Sequence, residues 1–224
     1  QVREVARTLG LPKELSERQP FPGPGLSVRV VGEIKTDKLE SLKKVTSIAE
    51  EKLARHSPSQ YFAVILDNLE TLRSNVQSDI ESLTSEFLKV PTRQVAVSMF
   101  EDKATGVKEG NRIYGEVAAV RVLDKKGRNY QPPVPDLVGL QAEIIPKNPT
   151  LARVFYAIRD GQLKRPYVVS VRAVDTEDFL TAKVSDIPWK TLNQIAEEAL
   201  DACDNVSAVY YDVTPKPPAT IEME

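Results

Sequence analysis

The chain has 224 residues, 41% hydrophobic and 28% charged, with a formal net charge of −2. That is ordinary globular composition, enough for one large domain or two small ones, and it gives no global attraction to nucleic acid. A single cysteine, Cys203, and a single histidine, His56, exclude a disulfide framework, a Cys/His zinc site and a Cys–His nucleophilic pair within one chain.

No stretch approaches the roughly 18 consecutive apolar residues of a membrane span, and no signal-peptide pattern is present. A reducing cytoplasmic setting is therefore expected, with neither membrane nor nucleic acid as partner. The chain opens on Gln1 and its first residues already read as mid-helix, so a piece of a longer protein is expected.

In chain order, VREVARTL (2–9) places Val2, Val5, Ala6 and Leu9 on one helical face, with Gly10 as a stop. A short helical turn, LPKELSER, and the proline–glycine run RQPFPGPGL follow. LSVRVVGEI alternates as a strand through Ile34. From Thr36 or Asp37 to His56, the spacing of Leu39, Leu42, Val45, Ile48, Ala49 and Leu53 predicts a helix. YFAVIL (61–66) reads as a buried strand, residues 67–90 as a helix with a polar outer face, and RQVAVSMF (93–100) as a strand. EDKATGVKEGN then reads as a polar loop.

The second half repeats itself. EVAAVRVLD (116–124) matches YVVSVRAVD (167–175), so that Val120, Arg121 and Asp124 correspond to Val171, Arg172 and Asp175. Downstream, RVFYAI (153–158) parallels AVYYDV (208–213), and a proline-led helical segment precedes each: PDLVGLQAEIIP and PWKTLNQIAEEAL. Three matched elements in one order predict internal duplication. Two strand–helix–strand units, over about 112–159 and 166–213, should be related by an approximate twofold axis, with Val120 and Val171 equivalent. The fold class expected is α+β: antiparallel sheet with helices packed on one face, and no phosphate loop of a doubly wound fold.

Four segments carry candidate chemistry. In the opening loop, prolines fix φ and remove donors while glycines allow close approach, so the remaining amides beside Arg18 form either an anion nest or a stiff connector. The tail YYDVTPKPPATIEME is proline-stiffened, with Lys216, Thr220 and Glu222; it reads as a positioned arm or a solvated end, and because it follows the last strand the folded core is expected to survive its deletion. GVKEGNRIY (106–114) offers Lys108, Asn111 and Arg112. Asp175 and Asp178 in DTEDFLTA read as a cap and a solvated face, so no metal site is expected.

Together these segments have a recognisable order. The helix followed by LGLP, R-x-PFPGPGL-x-VRV, GV…R-x-Y, VRAV…D-F-x-TA…P and VYYDVTPKPPATIE closely resembles the C-terminal part of GMP synthetase. The resemblance implies a division of the chain: residues 1–25, the end of an ATP-pyrophosphatase domain and its connecting loop; 26–113, the first part of a dimerisation domain with an inserted helix; 114–165, an inserted dimerisation-like repeat; and 166–224, a C-terminal repeat and XMP-binding tail. Length resembles the longer, eukaryotic type of enzyme.

The family converts XMP to GMP using ATP and ammonia, the ammonia coming from glutamine through an amidotransferase subunit or domain. By the resemblance, ATP and magnesium belong to the intact enzyme; this stretch has no SGGVDS-type loop, no amidotransferase cysteine, no catalytic residue and no cofactor of its own. XMP would be held by Arg18, Gly23 and Gly25 of the opening loop, by Lys108 and Arg112, and by Lys216, Thr220 and Glu222. Lys216 would meet the phosphate and Glu222 would accept from ring or ribose donors. The family's GVQGD or GVMGD motif is GVKEG here: Lys108 replaces glutamine or methionine and Gly110 replaces aspartate, while Arg112 and Tyr114 match. Partners implied are the missing ATP-pyrophosphatase and glutamine amidotransferase parts, with either a homodimer or an intrachain pseudo-dimer. A non-catalytic nucleotide-binding or interaction module of the same fold is the alternative.

Overall fold

A computed structural model describes residues 2–12, 25–161, 163–177, 180–221 and 223, without the side chains of Val2 and Arg3. Five helices and seven strands are laid out among them: α1 (Val2–Thr8), α2 (Thr36–Leu53), β1 (Gln60–Asp67), α3 (Ser74–Leu88), β2 (Val95–Lys108), β3 (Asn111–Val122), α4 (Val134–Lys147), β4 (Leu151–Asp160), β5 (Tyr167–Asp175), β6 (Lys183–Val184), α5 (Trp189–Ala202) and β7 (Val206–Asp212). All seven strands form one open sheet in the order β1-β5-β7-β4-β3-β2, with β6 beside β5.

The helices form where the apolar period predicts. Leu42, Val45, Ala49 and Leu53 of α2 are fully buried, as are Leu192, Ile195, Ala196 and Ala199 of α5. These stripes, with Ile80 of α3 and Leu137, Leu140 and Ile144 of α4, pack on one face of the sheet as its main core. Gly139 makes this possible in the middle of α4: a Cβ there would lie 2.8 Å from Cζ of Phe87 on α3. The other face carries a smaller apolar cluster around Phe62, Phe100, Phe155 and Tyr210.

The sheet reads the same from both edges. Antiparallel pairs β1/β5 and β2/β3 flank parallel pairs β5/β7 and β3/β4, and an antiparallel β4/β7 pair lies at the centre. Val171 sits between Ala63 and Tyr211, Val120 between Val97 and Tyr156, and Tyr156 faces Tyr211 directly. The repeated units are thus related by an approximate twofold through that tyrosine pair, with a helix in each. Strands within a unit run parallel, because each is joined by a helical crossover. The first unit is inserted between β1 and β5 of the second.

Three expectations change. Residues 26–34 are not a strand: Gly25–Arg29 form a 3₁₀ turn, and Val30 alone bridges Ile65 at the sheet edge. The third helix begins at Ser74, not 67, because the preceding segment instead bonds the open edge of β2 (Thr71 N–H to Met99 O, 2.8 Å; Glu101 N–H to Leu69 O, 2.9 Å). The polar loop at 101–111 is a continuation of β2 past a bulge, turning tightly at Glu109 (φ 51°) and Gly110 (φ 79°), the left-handed pair that a two-residue hairpin requires. LPKELSER and most of the proline–glycine run lie outside the described residues.

Candidate functional site

Beyond the bulge between Phe100 and Lys103, β2 and the start of β3 form a two-stranded arm with its tip at Glu109–Gly110. The tail leaves β7 and crosses this arm. Lys216 exchanges backbone bonds with Ala182 (2.8 and 2.9 Å), Val107 N–H donates to Pro218 O (2.6 Å), and Ala219 bridges Gly106. Thr105 N–H then donates to Met223 O (2.9 Å), and Met223 N–H to Val28 O (3.1 Å). Proline's missing N–H groups leave the path fixed by those amides that remain. Ala219 and Met223 are fully buried and Ile221 nearly so, which corrects the expectation of a tail dispensable to the core: it roofs the free sheet face.

Under this roof lies a charged cluster that sequence reasoning missed. Arg153 of β4 and Arg172 of β5 both donate to Oδ2 of Asp212 on β7, at 3.0 and 2.6 Å, and all three side chains are fully buried. Asp212 Oδ1 accepts from Thr214 N–H. Arg153 also reaches Thr105 O of the arm and both Thr220 O and Thr220 Oγ1 of the tail. One guanidinium thus ties arm, tail and sheet together, using the fork of donors that lysine lacks. The signal was in the repeat: Arg153 in RVFYAI stands where AVYYDV has Ala208.

The structure brings some of the expected residues together. Lys108 and Arg112 are exposed near the arm tip, and the Lys108 ammonium lies 3.4 Å from Pro149 O. Half-buried Lys216 precedes the crossing of tail and arm at Ala219. Beneath it, Val107, Ile113, Pro146 and Pro218 line an apolar cavity of about 170 Å³. Thr220 is 8% exposed and its hydroxyl bonds Thr105, so it faces inward. Gly25 (φ 64°) opens the 3₁₀ turn that ends at buried Arg29. Burial pushes the Arg29 guanidinium down and the Glu50 carboxyl up, each partly countered by the other at 4.0 Å. Arg18, Gly23, Asp178 and Glu222 lie outside the described residues. Among the described residues no His, Cys, Asp and Glu side chains cluster as a metal site, and no helix is long and apolar enough to cross a membrane.

Fold and site define a class: a two-layer α+β domain built on an internal repeat, with a proline-rich chain end clamped beside a cationic hairpin. The family described as GMP synthase C terminal domain matches residues 154–223. A protein of Sulfurisphaera tokodaii, named as a subunit of glutamine-hydrolyzing GMP synthase, is 38% identical over 226 residues, covering 100% of this chain and 54% of that protein. The proteins of the same name from Archaeoglobus fulgidus and Methanocella arvoryzae are 33% and 31% identical, each across 100% of this chain and 46% of their own length. The match runs through both repeats, and the chain spans about half the length of these relatives. Over residues 154–223 the chain resembles that family, and along its whole length it resembles these relatives.

Proposed function

We propose that this chain is the XMP-binding and dimerisation part of a GMP synthase, an enzyme that converts XMP, ATP and ammonia to GMP, AMP and pyrophosphate. The observation that supports the reading is the crossing, at Gly106 and Ala219, of an arm that bears Lys108 and Arg112 and a tail that bears Lys216, in a chain whose relatives bear that name. Lys216 supplies a point charge for the XMP phosphate, Lys108 and Arg112 add to it from the arm, and Glu222 accepts from the base or ribose. Arg18 and the amides of the proline–glycine loop, Gly23 and Gly25 among them, close the site from the domain that precedes. Thr220 serves by holding the tail to the arm.

ATP and magnesium bind in the preceding pyrophosphatase domain, and ammonia comes from a separate glutamine amidotransferase, in keeping with relatives that are each named as one subunit of the enzyme. The approximate twofold inside the chain supplies the contact that two single-repeat chains would make, so the chain is its own pseudo-dimer. The reading as a non-catalytic module gains nothing from these relatives. Pyrophosphate release with XMP, ATP and ammonium tests the assignment: this chain alone should give background, and the longer protein should turn over. Turnover by the chain alone would overturn the division of labour.

A further inference from the structure

The approximate twofold relates the tail-covered face around Arg172 to a face around Arg121 on the other repeat. The two faces differ in a directed way. Arg172 is paired with Phe62 and Arg121 with Ala96, while Val64 on one side corresponds to Ser98 on the other and Arg153 to Ala208. Large side chains under a roof are thus replaced by small ones without a roof. The result is a groove of about 230 Å³ on the open face, walled by the two connections between the repeats.

The polar groups in this groove are incompletely used. Tyr210 is 8% exposed and forms part of the lining, yet its hydroxyl has no hydrogen-bond partner among the described residues. Its ring is held by Phe100 at 6.0 Å and Phe155 at 6.3 Å, which fixes the hydroxyl at the groove wall. Glu70 and Lys164 line the same groove from opposite connections, and neither has an ion-pair partner among the described residues. Between them Arg121 and Asp160 already pair at 3.2 Å. The charges of the lining therefore balance.

We propose that this groove is a second ligand site, for a small zwitterion carrying both an ammonium and a carboxylate, as a free amino acid does. The carboxylate lies on Lys164, the ammonium on Glu70, and the Tyr210 hydroxyl bonds the end nearest the sheet. A phosphate ligand fits poorly, because it would meet Glu70 and Asp160 together. The volume also falls below the roughly 300–1,000 Å³ of pockets for larger ligands.

Calorimetric titration of the chain with a panel of protein amino acids tests this, with acetate and methylammonium as single-charge controls. At least one amino acid should bind at concentrations below about 10 mM, and neither control should. Glu70→Gln and Lys164→Met, both at exposed positions, should each weaken that binding about tenfold, and Ala208→Arg, which restores the side chain of the other repeat, should abolish it. Absence of binding across the panel, equal binding of a single-charge control, or binding unchanged in both Glu70→Gln and Lys164→Met would overturn the proposal. The two surface variants decide the matter even if Ala208→Arg does not fold.

Discussion

Asp212→Asn should be far more damaging than Arg153→Met, although both remove one member of the same buried cluster. Among the described residues, Asp212 is the only carboxylate that Arg172 meets, at 2.6 Å, and both side chains have 0% exposure. Asparagine keeps the shape and cancels the charge, so Arg172 is left buried without a counter-ion. Breaking a buried pair in this way costs about 3–5 kcal/mol, a large share of the 5–15 kcal/mol that holds a typical domain together. Arg153→Met leaves the Arg172–Asp212 pair intact. Its loss is its own bond to Asp212, whose charge Arg172 still balances, and the bonds to Thr105 O and Thr220 O, about 1–3 kcal/mol for acceptors left unmatched, softened by methionine filling part of the space. Urea unfolding of the chain, followed by Trp189 fluorescence and by circular dichroism, measures both. Asp212→Asn within about 1 kcal/mol of the parent, or Arg153→Met as costly as Asp212→Asn, would refute the assignment of Asp212 as the counter-ion.

Deleting residues 216–224 should lower the urea midpoint sharply, since burial of Ile221 and Met223 alone contributes about 1.5–3 kcal/mol each; an unchanged midpoint would mean the tail does not roof the sheet. Gly139→Ala should gain less than the roughly 1 kcal/mol that alanine's helix propensity offers, because its Cβ displaces the Phe87 ring tip, and the gain should be larger in a Phe87→Ala background in a double-mutant cycle. Tyr167 donates to Asp37 at 2.9 Å, and burial, with help from that carboxylate, pushes its hydroxyl up to about 12. The folded state therefore holds this proton where the unfolded chain has released it, so stability falls as pH rises from about 10 to about 12. Tyr167→Phe should flatten that part of the stability–pH curve; an unaltered slope would point to other groups.

Much of this architecture is legible where one face of an element is apolar. The 3.6-residue spacing of Leu42, Val45, Ala49 and Leu53 marks α2, and the paired VRVLD and VRAVD strings mark β3 and β5. The duplication is legible for the same reason: burial of equivalent strands constrains equivalent side chains, and Val120 and Val171 do occupy matching places. The arm is not legible, because its tip is solvated, its base is covered by the distant tail, and Glu101, Asp102 and Lys103 read as loop. Leu26, Val28 and Val30 mislead in the opposite direction, alternating like a strand while Gly25 sends the chain into a 3₁₀ turn.

The site divides along similar lines. Lys108, Arg112 and Lys216 stand in recognisable strings on an arm and a tail that cross at Gly106 and Ala219, whereas the Arg153–Asp212–Arg172 cluster hides in strands that read as mostly apolar. A buried charge leaves no periodic trace. Only the difference between Arg153 and Ala208 in the two repeats pointed toward it.

The central claim, that tail and arm hold XMP while ATP is held elsewhere, is tested most directly by Lys216→Ala in the longer protein. XMP and ATP should be titrated separately. The account predicts XMP binding weaker by about 1.5–3 kcal/mol, the range for hydrogen bonds to charged groups, with ATP affinity unchanged. Equal losses for both nucleotides, or no loss for XMP, would contradict it.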